Sequence, residues 1–157
     1  MQPNITPMGT AKKVDSIKEL AQAAFSSGND AAKYVFGQVP AKFVAQVEDV
    51  LDTPIDDYTY SIDISAMRHV FAAHGNAKME AAQGQIAITV DDFAAFPKIM
   101  EQPDSVEYRG NNNQGNPAFL LQKKAADSLT LCVIEVRPGR KEVAMKTMYK
   151  RKTPALQ

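Results

Sequence analysis

Hydrophobic positions divide the chain into an early part with helical spacing and a later part with strand spacing. In residues 14–57, apolar residues recur three or four positions apart, as they do on one face of a helix. One helix begins near Val14, and a second begins at Pro40, because proline is tolerated at the first position of a helix. The run over residues 34–39 is apolar but ambiguous in type. The pattern thus predicts a helical N-terminal part over residues 14–57.

The middle of the chain combines a short strand, a helix and a loop. Residues 58–62 alternate between polar and apolar, which is typical of a strand. The helix that follows can be capped by Asp63 or Ser65 and ended by Gly75. Residues 75–85 have the composition of a loop. Both histidines of the chain therefore lie on this one predicted helix.

A further helix over residues 91–100, capped at Thr89, precedes a change of period. Pro97 should shorten or bend that helix, because proline lacks the N–H that a helix interior requires. Four strands of period two follow, over residues 105–109, 119–124, 129–137 and 142–150. Their short connections favour an antiparallel meander. The predicted fold class is α+β, with N-terminal helices packed on a curved four-stranded antiparallel sheet.

The composition is that of a single domain that needs no disulfide. A chain of 157 residues normally forms one domain, here with residues 1–13 as a disordered arm. The only cysteine, Cys132, excludes an intramolecular disulfide and any multi-cysteine metal site. No apolar run approaches the length of a membrane span, and the N-terminus lacks a signal-peptide core. We therefore expect no membrane partner and a cytoplasmic location.

The net charge is zero, but charge is distributed unevenly along the chain. Residues 1–104 carry 8 Lys and Arg against 14 Asp and Glu, whereas residues 105–157 carry 10 against 4. A basic half built from strands can receive a polyanion such as a nucleic acid. The alternative is that the cations of residues 150–152 form a solvated end.

The two histidines, His69 and His74, are the first candidates for chemistry, because imidazole both gives and takes a proton near neutral pH. On a helical wheel His74 lies about 20° from Met67, on the apolar stripe, whereas His69 lies about 160° away. The rings do not share one face, so a zinc site of two histidines four residues apart is disfavoured. Without a catalytic role, His74 is a buried histidine at a helix end and His69 a solvated one. Both join one site only if the helix packs edge-on or ends early.

Several short motifs together suggest a family. They are Arg68-His69 with His74-Gly75, Gly84-Gln85 with Thr89 to Phe93, Pro103-Asp104, Lys123-Lys124, and Thr147-Met148-Tyr149-Lys150. In this order they resemble a phage-associated nuclease family of the barnase/EndoU/colicin/RelE-like superfamily. That family is often found as a C-terminal module of phage head-morphogenesis proteins. The resemblance covers about residues 58–151 and leaves residues 1–57 without functional motifs.

The resemblance implies a metal-independent ribonuclease, with residues 58–152 as the nuclease core and no cofactor. Such an enzyme uses the 2′-hydroxyl of RNA as nucleophile and leaves a 2′,3′-cyclic phosphate. It further implies a phage- or prophage-encoded toxin or effector that acts in the host bacterial cytoplasm or is delivered there. Its partners would be RNA, with tRNA as one candidate, and an immunity or inhibitor protein. The alternatives are a non-catalytic structural or interaction module of a phage assembly, and RNA binding without cleavage.

The resemblance also suggests roles for individual residues. The candidate catalytic residues are His69, His74, Lys124, Thr147 and Tyr149, and the candidate substrate-binding residues are Arg68, Lys123 and Lys150. His69 and His74 would be base and acid in either order, since the reaction needs one of each. Lys124 would stabilise charge on the phosphate, and Thr147 and Tyr149 would hold it. If His69 is dispensable, Lys124 or Tyr149 must supply the second proton role.

Strand alternation predicts which of these side chains share a face. Thr147 and Tyr149 are two residues apart and should point to the same side of the last strand. The residues expected on its opposite side are Lys146, Met148 and Lys150. Alternation leaves the choice between Lys123 and Lys124 open, because apolar neighbours lie on both faces of their strand.

Overall fold

A mixed β-sheet forms the frame of the protein, which a computed structural model describes over residues 12–13, 16–26 and 31–153. Within these ranges the strands are β1 Lys12–Lys13, β2 Ala32–Gln38, β3 Thr59–Asp63, β4 Gln85–Ile86, β5 Ser105–Asn111, β6 Pro117–Lys124, β7 Ser128–Arg137 and β8 Glu142–Lys152. The α-helices are α1 Ile17–Phe25, α2 Ala41–Val47, α3 Ile64–His74, α4 Ala77–Ala82, α5 Val90–Ala94 and α6 Phe96–Glu101. Short 3-10 turns lie at Glu48–Val50 and Pro138–Arg140.

The order of strands in the sheet is β1-β2-β3-β8-β7-β6-β5, and the short β4 pairs with the far end of β8. The pairs β1/β2 and β3/β8 are parallel, and the other pairs are antiparallel. The α+β class and the four meander strands β5 to β8 are confirmed. The prediction of a four-stranded, purely antiparallel sheet is wrong, because β3 pairs parallel with β8 and so joins β1 and β2 to the same sheet. Alternation along one strand carries no information about which distant strand it will join.

The ambiguous run over residues 34–39 lies almost entirely in strand β2, which pairs antiparallel with β3. Sheet and core therefore combine residues from both sides of residue 57. Of the predicted disordered arm, residues 1–11 lie outside the described residues, and Lys12–Lys13 form β1. No helix in the described ranges has the length and apolar character needed to cross a membrane.

Two other segments differ from the sequence-based prediction. The segment over residues 75–85, predicted as a loop, contains α4, whose first turn is capped by Asn76: its Oδ1 accepts the Met79 N–H at 3.0 Å. The predicted helix over residues 91–100 is divided into α5 and α6, with Pro97 in the first turn of α6. Proline has thus shortened the helix, as expected.

Helix α3 lies along one edge of β8, between the points where β3 and β4 pair with that strand. Asp63 caps its start, since Oδ1 accepts the Ala66 N–H at 2.8 Å. Met67 and Val70 are completely buried in the core. Gly75 ends the helix, and a Cβ there would lie 2.5 Å from the Phe71 carbonyl oxygen. The helix thus packs edge-on to the sheet, which brings its last residue, His74, beside β8.

The two faces of the sheet differ in character. The helix-side face carries the core, including Cys132, Ile134 and Val136 of β7. The opposite face, which we call the open face, carries the alternating residues of β7 and their partners on β8. These residues are Leu131, Val133, Glu135 and Arg137, paired respectively with Tyr149, Thr147, Ala144 and Glu142. The open face therefore holds both polar strand residues that the sequence singled out.

Candidate active site

His74 is held from two sides at the edge of the open face. Its ring stacks on Tyr149, with ring centroids 5.4 Å apart and an angle of 28° between the planes. Its Nδ1 lies 3.3 Å from Oε2 of Glu80. The carbonyl oxygen of His74 also accepts the Ile88 N–H at 2.8 Å, which fixes the backbone at the end of α3. This histidine is therefore positioned by a carboxylate, an aromatic ring and a backbone hydrogen bond.

Glu80 of α4 is a functional candidate that sequence reasoning missed. Its side chain is 2% exposed, and His74 is its side-chain partner. A carboxylate oxygen accepts hydrogen bonds, so this contact is a hydrogen bond in the tautomer of His74 that carries the hydrogen on Nδ1. Nε2 then remains as the ring nitrogen that can exchange a proton. Two features of the sequence favour helix α4, although the segment was predicted as a loop: Asn76 can cap it, and a run of helix-forming residues follows.

Thr147 and Tyr149 share the open face, as alternation predicted. The Thr147 Oγ1 is buried and has no hydrogen-bond partner among the described residues. A buried hydroxyl without a partner costs about 1–3 kcal/mol, and such a group is satisfied by an ordered water or by an atom of a ligand. An unsatisfied hydroxyl thus lies two residues from the ring that stacks on His74.

The structure separates the two lysines between which the sequence could not choose. Gln122 pairs with Leu131 of the open face, and Lys124 is two residues further along the same strand. Lys124 therefore belongs to the open face together with Tyr149. Its side chain is exposed, and its backbone N–H donates to Oδ2 of Asp104 at 2.6 Å. Lys123 alternates to the helix-side face, where its Nζ donates to the Gln102 carbonyl oxygen at 2.6 Å. Of the pair, Lys124 is the one placed on the face of the candidate site.

Three other predicted site residues lie apart from His74 or point elsewhere. Arg68 packs against α1, whose C-terminal carbonyl oxygens at Ala24 and Ser26 accept its guanidinium N–H groups at 3.1 and 2.9 Å. Lys150 lies on the helix side, with its Nζ 3.0 Å from Oδ1 of Asp92. His69 is exposed and makes no hydrogen bond or ion pair within the described part of the chain. The structure therefore groups His74 with Thr147 and Tyr149. A site role for Arg68, Lys150 and His69 stays a prediction.

One prediction about strand faces is wrong. Lys146 was expected on the side of Met148, but the register of β8 shifts there: Thr147 pairs with Val133 and Met145 with Ile134, so Lys146 is a bulge residue. A bulge inserts one residue and so reverses the alternation beyond it. The Lys146 Nζ consequently lies on the open face, 4.0 Å from Oε2 of Glu135.

A buried charge cluster occupies the open face next to Thr147. Arg137 bonds through Nε to Glu135, and through Nη1 to Oε1 of Glu142 at 3.1 Å. Glu142 also accepts Lys33 Nζ at 2.6 Å. Both carboxylates are nearly inaccessible, with side chains 2% and 3% exposed. The signal in the sequence was the placement of Glu135 and Arg137 at alternating positions inside an otherwise apolar strand.

Charges within this cluster determine the protonation of its members. Burial opposes ionisation of Glu142 and is the largest single influence, but Lys33, Arg137 and the Ser61 hydroxyl together outweigh it and lower its pKa. For Arg137, burial acts to lower the pKa, and the carboxylates around it raise it instead. These pKa shifts of Arg137 and Glu142 favour the charged form of both groups, which are paired with each other.

Metal ligands are not grouped in the described ranges, where no set of three or more His, Cys, Asp or Glu side chains lies close enough to hold an ion.

Burial of Cys132 raises the pKa of its thiol, with a further contribution from Asp92. The thiol lies in the helix-side core, away from His74.

Comparison with known proteins yields one match. A family model described as phage-Barnase-EndoU-ColicinE5/D-RelE like nuclease3 matches residues 18–156. The match confirms the resemblance read from the motifs and extends it to residue 18, so that α1, β2 and α2 are included. No curated protein and no solved structure matches the chain.

Proposed function

Because the chain belongs to the family of phage-Barnase-EndoU-ColicinE5/D-RelE like nucleases, we propose that it is a metal-independent endoribonuclease. In this proposal the 2′-oxygen of RNA attacks the adjacent phosphorus, and the bond from phosphorus to the 5′-oxygen breaks. The products are a 2′,3′-cyclic phosphate and a free 5′-hydroxyl. The observation that carries the proposal is His74, held between Glu80 and Tyr149 beside an unsatisfied Thr147 hydroxyl.

The two proton transfers are assigned to His74 and Tyr149. His74 Nε2 accepts the proton of the 2′-hydroxyl, because Glu80 occupies Nδ1 and leaves Nε2 available. Tyr149 donates a proton to the departing 5′-oxygen, and its contact with the His74 ring supports this choice. This assignment uses His74 and Tyr149 for both transfers and needs no proton from His69, whose side chain is exposed and lies on another side of α3 from His74.

The phosphate is assigned to Thr147 and Lys124. A phosphate oxygen that displaced the groups covering the Thr147 Oγ1 would supply its missing hydrogen-bond partner. Lys124 shares the open face, has an exposed side chain and lies level with Arg151, toward the Tyr149 end of β8; there we assign its ammonium to the negative charge that develops on the phosphorane. Donors that act on developing charge lower the barrier to the reaction rather than only binding the ground state.

The biological role follows from the phage association of the family. We assign the protein as a phage- or prophage-encoded toxin or effector that acts on RNA of the bacterial host, with an immunity or inhibitor protein as partner. The second candidate is a non-catalytic module of a phage assembly. That candidate gives no reason for a buried carboxylate to hold a histidine beside an unsatisfied hydroxyl.

Cleavage of total RNA in excess EDTA tests the proposed function directly. We expect fragments that end in 2′,3′-cyclic phosphates, because no step requires a metal ion. The ends are read by their resistance to ligation until the cyclic phosphate is removed. Intact RNA after hours at micromolar protein would contradict the enzyme and favour the assembly module. Salt-dependent binding without product would favour RNA binding alone.

Glu80→Gln is expected to lower kcat for RNA cleavage by about 10–100-fold, the usual effect of losing a group that orients a functional histidine. KM should stay near its wild-type value, because Glu80 contacts the imidazole and not the RNA. Steady-state kinetics on a fluorescent oligonucleotide separates the two constants.

The matched control is Glu101→Gln, which changes an exposed carboxylate on α6. A thermal melt confirms that both variants are folded. An unchanged kcat, or a rise in KM alone, would show that Glu80 does not position His74.

A further inference from the structure

An open cavity of about 350 Å³ lies on the open face and is lined by Lys146, the residue before Thr147. Its floor includes Glu135 and Arg137, and its walls come from the β5–β6 loop and from the turn Pro138–Arg140. Lys146 reaches the same cavity because the bulge in β8 turns it away from the core. The cavity is within the size range of small-molecule sites, about 300–1,000 Å³.

Some of the cationic side chains that line this cavity make few or no ion pairs with other residues. Glu135 pairs with Arg137, and Asp63, a second carboxylate in the lining, lies 3.6 Å from Arg137 Nη1. Arg140 is exposed and makes no hydrogen bond or ion pair with any residue that the structure describes. Lys146 has one distant ionic contact, 4.0 Å from Glu135, and its side chain is 43% exposed. Two cationic side chains are therefore available to an anion in the cavity.

The loop that walls the cavity is held in place by Asn112. Its Oδ1 accepts the backbone N–H groups of Gln114 at 3.0 Å and Asn116 at 3.1 Å. Its Nδ2 donates to Oε1 of Glu135, which ties the loop to the floor of the cavity. Gln114 and Asn116 line the cavity, and their side-chain amides make no hydrogen bond within the described part of the chain. Each can both donate and accept.

We propose that this cavity binds the nucleotide that flanks the scissile phosphate of a single-stranded RNA. The proposal rests on the proposed ribonuclease function, because Lys146 immediately precedes Thr147 and so places the cavity next to the reacting phosphate. Arg140 and Lys146 bind the backbone phosphate of this nucleotide, and Gln114 and Asn116 hydrogen-bond to the edge of its base. We assign a single strand because its unstacked bases can be splayed out and hydrogen-bonded along their edges.

Binding of a 2′-O-methyl RNA oligonucleotide tests the subsite without relying on cleavage, because the attacking hydroxyl is blocked. Fluorescence anisotropy should show that Arg140→Ala raises Kd about tenfold, the loss expected for one charge-assisted hydrogen bond. The slope of log Kd against log salt should fall by about 0.7, the value for one phosphate contact on a single strand. Lys98→Ala is the matched control, since Lys98 is an exposed cation on α6.

Base recognition is tested by replacing Gln114 and Asn116 together with alanine. The preference among four homopolymeric oligonucleotides should become weaker, whereas the salt dependence should stay as in the wild type. Wild-type binding by Arg140→Ala, with an unchanged salt slope, would overturn the subsite even if RNA is cleaved. Weakened binding by Arg140→Ala in a protein that cleaves no RNA would show that the cavity binds RNA, and would overturn the ribonuclease together with the placement of the cavity beside a scissile phosphate.

Discussion

His74→Ala is expected to lower kcat/KM for RNA cleavage by about 10²–10⁴-fold, the range that one general acid or base contributes. The ring is the one that Glu80 and Tyr149 hold in place, so no other histidine can take over its position. His69→Ala should cleave at close to the wild-type rate, because its ring is exposed and has no partner among the described residues. Initial rates on a fluorescent RNA oligonucleotide provide the comparison.

The two histidine variants form a matched pair, since each removes one imidazole from the same helix. A melting curve for each shows whether the loss of stacking on Tyr149 has disturbed the fold. Equal and large losses of kcat/KM in both variants would indicate that His69 and His74 are the acid–base pair and that Tyr149 is not the acid. Full activity of a folded His74→Ala protein would contradict the proposed site altogether.

Arg137→Met is expected to lower the free energy of unfolding by about 3–5 kcal/mol, the cost of leaving buried charges without their partner. Glu135 and Glu142 would both lose the guanidinium that bridges them. Urea denaturation followed by circular dichroism measures the change. Arg109→Met is the control: its contact with Glu107 is exposed, and such pairs contribute about 0–1 kcal/mol.

The same cluster should make stability depend on pH in a defined direction. The pKa of folded Glu142 lies below its ordinary value of 4.5. Its contribution is therefore fully present above that value and is lost as the pH falls through the lower, folded-state pKa. Arg137→Met removes one of the groups that lower this pKa, so its stability should change less steeply in acid. Identical unfolding midpoints for the variant and the wild type across acid pH would contradict this account.

The sequence predicted the long regular elements and not the contacts that join distant ones. Strands β5 to β8 were predictable because each has enough alternating residues to define a face. The parallel pairing of β3 with β8 was not, since it links residues about eighty positions apart and leaves no local pattern. The sequence offered Asp63 and Ser65 as caps for the start of α3, and in the structure Asp63 caps it.

The candidate site shows the same division between local and distant information. The shared face of Thr147 and Tyr149 follows from period two and was predicted. The position of Lys146 was not, because a bulge has no reliable signature in a single sequence. Glu80 was missed since its helix is only six residues long. The engagement of Arg68 with the end of α1 required knowledge of how two helices pack.

The position of β8 within the sheet has a consequence for synthesis of the protein on the ribosome. This strand pairs with β7, β3 and β4, yet it is translated after all three. Until residues through Lys152 have left the exit tunnel, the nascent chain lacks both Thr147 and Tyr149 as well as the strand that joins its two halves. The candidate site is therefore complete only once β8 has paired with both halves of the sheet, which makes it one of the last parts of the domain to form.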